Sequence, residues 1–354
     1  MSWPNCRASI ENRLLKHWYG TLSPPWYLRM LEPVYRIAYR RAQKNQTTGS
    51  GDYRPGLPLI VVGNITVGGS GKTPLVIALS RLATDMQLKP GIASTGYGRQ
   101  SRDTLLVQAD SDTNLCGDEP VLLAKRSGVP VVVAARRSDA VEKLQGMNLD
   151  LVISDDGLQQ ADLRRDVEIC VVDGGRGVGN GHLIPAGPLR EPATRLTQVD
   201  YVVTNGEWSE KPADLSVSTM KLEATVVRSL DEVNEYTLAE FQNKNAGITL
   251  HAIAAIGNPM RFFKLLEKHG IDIIPHRFAD HHRYKKQDFK SMSGAAAIIM
   301  TEKDAVKCRG LGLENAWYVP VEALLPDDFK RIFKRRLAML TRDRDQSSKT
   351  ATIL

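Results

Sequence analysis

Leu59-Ile-Val-Val-Gly63-Asn-Ile-Thr66-Val-Gly-Gly-Ser-Gly71-Lys-Thr73-Pro-Leu75 joins an apolar run, a glycine-rich turn and a helix start, with Lys72-Thr73 where turn meets helix. A turn of this kind wraps backbone N–H groups around phosphates and aims a helix N-terminus at them. It predicts a nucleoside triphosphate cradled by Gly68, Gly69, Ser70, Gly71, Lys72 and Thr73. Lys72 would lie on the outer phosphates, and the Thr73 hydroxyl would be free to ligate magnesium. The first glycine usual in such turns, five residues before Gly71, is Thr66 here, and Gly63 lies too far back to replace it.

Outward from the turn, buried-type strands alternate with helices. The helix after the turn carries Leu75, Ala78, Leu79 and Leu82 at i, i+3, i+4 and i+7. Further strands are expected at 90–94, 129–134, 149–154 and 167–172, and helices at 120–125 and 138–144. Continuous apolar strands between helices predict an α/β fold whose largely parallel sheet is covered on both faces. Ligands then sit beyond the carboxyl ends of the strands. From about residue 200, strands at 201–204, 219–227, 251–255, 296–300 and 317–319 and a helix at 259–269 predict a smaller α/β domain. The expected division is an N-terminal segment 1–45, a main domain 46–200, a smaller domain 201–340 and a loose tail 341–354, with a linker at 46–54.

Hydrophobic content of 42% with 25% charged residues is that of a folded soluble chain. Cys6, Cys116, Cys170 and Cys308 are scattered without a C-x-x-C pair, which suggests neither a disulfide framework nor a zinc site and fits a reducing compartment. No cleavable signal-peptide pattern is expected, and no run reaches the ~18–20 uncharged apolar residues of a membrane-spanning helix. Residues 1–45 hold eight Lys/Arg against Glu11 and Glu32, six of the chain's net +7. A basic arm on a nearly neutral body predicts a localised anionic partner and no nucleic acid.

Within that arm a helix is expected over 26–41, kinked at Pro33. Arg29, Glu32, Arg36 and Arg40 would share one face, with Trp26, Tyr27, Leu28, Met30, Leu31, Val34, Tyr35, Ile37, Ala38 and Tyr39 covering most of the rest. This suits a helix lying in a membrane interface; an amphipathic helix packed on its own domain is the competing reading. Trp3, Trp18 and Trp26, three of the chain's five tryptophans, favour the membrane.

Several constellations follow strands. The apolar run Leu149–Ser154 ends in Asp155-Asp156-Gly157, which is either a plain turn or, coupled to the phosphate turn, the acidic side of a magnesium shell. Gly117-Asp118-Glu119-Pro120 opens a helix, with Asp118 either an N-cap or a carboxylate able to take a proton from an attacking hydroxyl. Asp280-His281-His282-Arg283-Tyr284, even with His276, matches no zinc spacing and reads better as a histidine tuned by a carboxylate. The glycine- and proline-rich stretch 177–191 after Asp173 reads as a structured binding loop. Arg190-Glu191 and Arg136-Arg137 either contact phosphates or are surface charge.

Taken together and in this order, Gly63–Pro74, Gly96-Tyr-Gly98, Gly117–Pro120, Arg137-Ser-Asp-Ala140, Asp155-Asp-Gly-Leu-Gln159 and Asp166-Val-Glu-Ile169 resemble the tetraacyldisaccharide 4'-kinase family. So do Gly179-Asn-Gly181, Leu183-Ile-Pro-Ala-Gly-Pro-Leu-Arg-Glu191, Gly257-Asn-Pro-Met-Arg-Phe-Phe263, Asp280-His281 and Thr301-Glu-Lys-Asp-Ala-Val-Lys307. These are the lipid A 4'-kinases of Gram-negative bacteria, and their phosphate turn also lacks the usual first glycine. The likeness spans most of residues 20–320.

The resemblance implies a P-loop kinase domain joined to a smaller α/β domain that closes on it. It implies ATP and Mg2+, and transfer of the γ-phosphoryl group to the 4'-hydroxyl of a tetraacylated glucosamine disaccharide 1-phosphate. It places the chain on the cytoplasmic face of the inner membrane, held by its N-terminal segment. Position by position, Lys72 and Thr73 would hold ATP phosphates and magnesium, and Asp118 would be the general base with Glu119 beside it. His281 would assist from the second domain, Asp155 and Asp156 would be the metal-proximal acids, and Arg137, Gln159, Arg190 and Glu191 other active-site positions. Gln160 stands where relatives often have histidine. A membrane-associated partitioning ATPase would carry lysine where this chain has Val67, a guanine-specific switch would need Asn-Lys-x-Asp, and a non-catalytic scaffold would leave Asp118 and the paired aspartates unexplained.

Overall fold

Leu59–Gly63 becomes an inner strand of a nine-stranded sheet in a computed structural model that describes residues 13–49, 55–160, 163–292 and 294–352. Across the sheet the strands run Glu322–Leu324, Ser218–Glu223, Tyr201–Asn205, Val167–Asp173, Leu59–Gly63, Leu151–Asp155, Pro90–Ser94, Val131–Val133 and Leu105–Val107. The inner pairs are parallel; only the two edge strands are antiparallel. In register, Val62 lies beside Asp155 on one side and Ile169 on the other, so the glycine turn and the paired aspartates leave adjacent strands at the same end. That is where ligands bind in such sheets.

Apolar side chains cover both faces, as the continuous hydrophobic strands require. On one face Leu75 and Leu79 of the helix Lys72–Asp85 pack with Ile60, Ile153, Phe329 and Phe333; on the other Val141 and Leu144 pack with Leu59, Val152 and Trp208. A second, six-stranded sheet runs Glu235–Thr237, Val226–Ser229, Ala316–Val319, Ile298–Thr301, Leu250–Ala254 and Ile273–Arg277.

The sheets divide the chain differently from the expected boundary at residue 200. Tyr201–Asn205 and Ser218–Glu223 still pair in the large sheet, and the single strand expected at 219–227 splits at Ala224-Thr225, where the chain crosses to the small one. The chain returns after Val319, and Glu322–Leu324 closes the large sheet's edge. The tail expected to be loose is the end of a helix, Asp327–Thr352. Its Phe329, Phe333 and Leu337, spaced i, i+4, i+8, bury one stripe against the large sheet's core, and the Arg344 guanidinium donates to the Leu149 carbonyl at 3.3 Å.

The N-terminal helix runs Trp26–Gly49, past its expected end and into the expected linker, with Pro33 inside it. Trp3, Cys6, Arg7 and Glu11, and linker residues 50–54, lie outside the described residues. Glu32 is not part of an exposed basic face. It is buried, accepting from Arg36 at 2.9 Å and the Leu183 amide at 3.3 Å, and lies 2.8 Å from the His182 ring. Tyr35 donates to the Arg190 carbonyl at 3.0 Å and Tyr39 to Glu191 at 2.9 Å. On a 3.6-residue period these three residues share one side, and the opposite side is a ridge of Trp26, Met30, Val34 and Ile37, 73%, 68%, 63% and 53% exposed.

Candidate active site

Gly68 and Gly71 take φ of 107° and 98°, the left-handed region open to glycine, and Gly71 caps the helix Lys72–Asp85. The turn is fastened from three sides. The Asn64 amide donates to the Gly68 carbonyl at 3.2 Å, the Asn205 amide to the Ser70 carbonyl at 3.1 Å, and Val67 N–H to Pro188 at 2.8 Å. Over it lies Gly257, brought by the small sheet. Arg176 holds the Gly257 carbonyl at 2.9 Å, and Asp173 accepts from Arg261 at 2.7 Å and Asn258 at 3.1 Å. A Cβ at residue 257 would run into the backbone of Gly68 and Gly69. Gly257→Ala is therefore expected to cost about 1–3 kcal/mol of stability and raise KM for ATP several-fold. An unchanged thermal midpoint together with an unchanged KM would contradict the contact.

The paired aspartates have their pKa values displaced in opposite directions. Asp155 is buried, and burial, with the charges of Glu119 and Asp156, pushes its pKa up to about 7. Both its carboxylate oxygens and the Ser70 hydroxyl are buried without a hydrogen-bond partner. Asp156, at φ 55°, sits 3.4 Å from Lys72 and 3.4 Å from Arg190. Burial opposes its ionisation, but those cations bring its pKa down to about 2. Arg190 also donates to Gln159 at 3.2 Å, Gln159 to Glu191 at 2.7 Å and to the Asn64 carbonyl at 2.8 Å. Arg137 is buried and donates to the Asp155 carbonyl. Lys72, Asp155, Asp156, Arg137, Gln159, Arg190 and Glu191 thus form one connected group behind the phosphate turn.

Asp118 and Glu119 open the helix Asp118–Ser127, and Asp118 accepts the Glu119 amide at 2.9 Å. His281, at φ 58° in the loop after Arg277, places Nδ1 3.1 Å from both Asp118 oxygens. Burial would raise the Asp118 pKa, but His281 and the charges of Lys303 and Lys307 hold it well below the carboxylate range. Burial would lower the His281 pKa, and its hydrogen bond to Asp118 more than offsets this, so the net direction is upward. Tyr97, Gly117, Asp118, His281, Tyr284 and Lys307 line a cavity of about 100 Å³. Glu119, next to Asp118 at the start of this helix, is one of the charges that raise the Asp155 pKa.

Other expected groups lie elsewhere. Arg136 is surface charge near Asp139, His282 contacts Asp288 at 3.0 Å, and His276 stacks on His251 with nitrogens 2.8 Å apart. Among the described residues no group of three or more His, Cys, Asp or Glu could hold a metal ion. Sequence reasoning missed the roles of Lys303 and Lys307, although their motif was visible. Lys303 donates to Glu119 at 2.9 Å, and Lys307 lies 3.9 Å from Asp118. Tyr39 and Asn205 were missed too, with no local signal to mark them.

A family model described as tetraacyldisaccharide-1-P 4'-kinase matches residues 24–338. Among curated relatives, the tetraacyldisaccharide 4'-kinase of Stenotrophomonas maltophilia is 44% identical, over 88% of this chain and 93% of the relative. That of Azotobacter vinelandii is 42% identical, over 94% and 98%. The crystal structure of LpxK from Aquifex aeolicus in complex with ATP superposes with a TM-score of 0.69 at 27% identity, over 87% of this chain and 97% of that one. With a family model over residues 24–338 and relatives 42–44% identical over most of both chains, this chain belongs to the tetraacyldisaccharide 4'-kinase family.

Proposed function

We propose that the chain transfers the γ-phosphoryl group of ATP to the 4'-hydroxyl of a tetraacylated glucosamine disaccharide 1-phosphate, with Asp118 as general base. The observation that carries the residue assignment is Asp118 itself, buried at a helix start and kept ionised by His281, 3.1 Å away, and by the charges of Lys303 and Lys307. The acceptor oxygen bonds to the γ-phosphorus as the bond to the bridging oxygen of ADP breaks, and the hydroxyl proton passes to Asp118. The turn of residues 68–73 and Lys72 hold the phosphates. Arg190 and Arg137 supply positive charge around them, and Gln159 and Glu191 fix Arg190 in place.

Two buried, unpartnered Asp155 oxygens beside an ionised Asp156 suit a hard divalent cation. Mg2+ would be held by Thr73, Asp155 and Asp156, where it supplies charge neutralisation to the phosphates.

The acceptor is a lipid, and the N-terminal helix supports work at the cytoplasmic face of the inner membrane. Its Trp26–Ile37 ridge points away from the protein, flanked by a basic depression of about 410 Å³ lined by Arg29, Arg36, Arg40 and His182. Among the described residues no helix is long and apolar enough to cross a membrane, so the reading is peripheral association. Met30→Glu with Ile37→Glu, both on the ridge and clear of the docked tyrosines, is expected to reduce binding to anionic vesicles at least tenfold in a flotation assay while turnover of detergent-dispersed lipid persists. Undiminished flotation would remove the ridge from the account.

The direct test of function incubates purified protein with labelled ATP, magnesium and the lipid disaccharide 1-phosphate. Labelled lipid is the expected product, and its absence from a well-folded preparation would sink the kinase assignment.

A further inference from the structure

We propose that Lys303 is a positioning residue for the transfer: its ammonium pins His281 in the tautomer that carries the ring proton on Nδ1, facing Asp118. The inference rests on the reading of Asp118 as general base. Lys303 Nζ lies 3.4 Å from His281 Nε2. An ammonium can only donate, so the nitrogen it meets must offer a lone pair. A neutral imidazole has one N–H, and with Nε2 acting as acceptor that N–H is on Nδ1, 3.1 Å from both Asp118 oxygens. A proton on Nε2 would point at the ammonium instead. In the Nδ1–H form His281 cannot accept the proton released to Asp118. It acts by donating to that carboxylate and aiming it.

Lys303 is itself held firmly. It donates to Glu119 at 2.9 Å, and lies 3.5 Å from Asp280 and 4.0 Å from Asp118. The other groups facing the ring are Tyr97, with centroids 4.9 Å apart, and Asp280, whose oxygen is 3.8 Å from Nε2, beyond hydrogen-bond length. Lys307 faces Asp118 from 3.9 Å. The bridge also joins the two sheets. Lys303 comes from the helix Glu302–Cys308 after the small sheet's strand Ile298–Thr301, and Glu119 from the helix Asp118–Ser127 of the large one. Lys303 and His281 both come from the small-sheet half, so the tautomer is set there and presented to Asp118 of the large-sheet half.

The test compares Lys303→Met and Lys303→Arg with the parent, reading kcat and KM across pH and the His281 ring nitrogens by 15N NMR. At a pH above the raised His281 pKa, where the ring is neutral, the parent should show a protonated Nδ1 and a bare Nε2. Lys303→Met should lower kcat roughly ten- to hundredfold, the usual scale for a partner that orients a working histidine. Its KM for ATP should stay within about twofold, because Lys303 touches nothing in the phosphate turn. Loss of a nearby positive charge makes both Asp118 and His281 easier to protonate, so the acid limb of the kcat profile should move to higher pH. Lys303→Arg should restore the limb. A Lys303→Met profile that superimposes on the parent's apart from its height would mean a merely structural lysine and overturn the proposal, as would a parent protonated at Nε2. Asp118→Ala separates the two readings. If it keeps near-normal turnover the base assignment fails, whereas an inactive Asp118→Ala beside an unmoved Lys303→Met limb overturns this inference alone.

Discussion

Asp118→Ala lowers kcat by about a thousandfold or more while ATP still binds with near-parent affinity: this is the expected outcome for a general base that does not touch the nucleotide. Asp118 lies outside the phosphate turn, and its partners His281, Lys303 and Lys307 come from the other half of the molecule. The substitution therefore leaves Gly68–Thr73 and Lys72–Asp156 intact. Steady-state turnover with the lipid acceptor and a separate ATP titration check the two halves of the claim. A variant that turns over at near-parent rate would show that another group takes the proton.

Asp155→Asn is expected to move activity and stability in opposite directions. The Asp155 pKa is pushed from 3.8 up to about 7, first by burial and then by Glu119 and Asp156. The folded state thus keeps this proton at pH values where the unfolded chain has released it. Between about pH 4 and 7 the native state binds more protons than the unfolded state, so stability falls as pH rises through that window. Asparagine has no such proton to lose. In chelator, the variant should gain roughly 2–4 kcal/mol on the parent at pH 8 and little at pH 4. Turnover should drop by about a thousandfold, because a neutral amide is a poor substitute for a carboxylate at a divalent cation. Thermal midpoints at the two pH values give the first half and the lipid assay the second. Parallel pH–stability curves for parent and variant would refute the burial argument.

What could be read from the sequence followed the range of the forces involved. The phosphate turn, the strand beside it and Asp155-Asp156 are legible because glycine spacing, apolar runs and helix starts act over a few residues. The strand Pro90–Ser94 matches its expected bounds, and the helix Pro259–Lys268 ends within one residue of its expectation. Family resemblance added Asp118 with His281, 163 residues apart in the chain, which no local rule joins.

The domain boundary failed for a long-range reason. Whether Tyr201–Asn205 or Glu322–Leu324 belongs to one sheet or the other is decided by pairing across the fold, and both strands are short. The last helix could have been found, since Asp327-Asp328 followed by Phe329, Phe333 and Leu337 is a helix start with an apolar stripe. Lys303 could not. In the sequence it is one lysine among many, and its meaning comes from where two sheets bring Glu119, Asp280 and His281.

A helix runs from Trp26 as expected, but its azimuth turns Glu32 against the protein. Glu32 looks like a member of the arginine face until the loop at His182 and Leu183 is placed against it.

That azimuth turns the helix into a keyed part. Tyr35 and Tyr39 lock its rotation to Arg190 and Glu191, and the ridge from Trp26 to Ile37 extends about 16 Å along the far side. Glu32 and Tyr35 dock within the ridge's own span, so one residue inserted between Met30 and Glu32 would turn Trp26 and Met30 by about 100° away from Val34 and Ile37 and split the ridge. The interleaving of docked and exposed residues on the same turns therefore fixes the bearing of the phosphate turn over whatever surface the ridge meets.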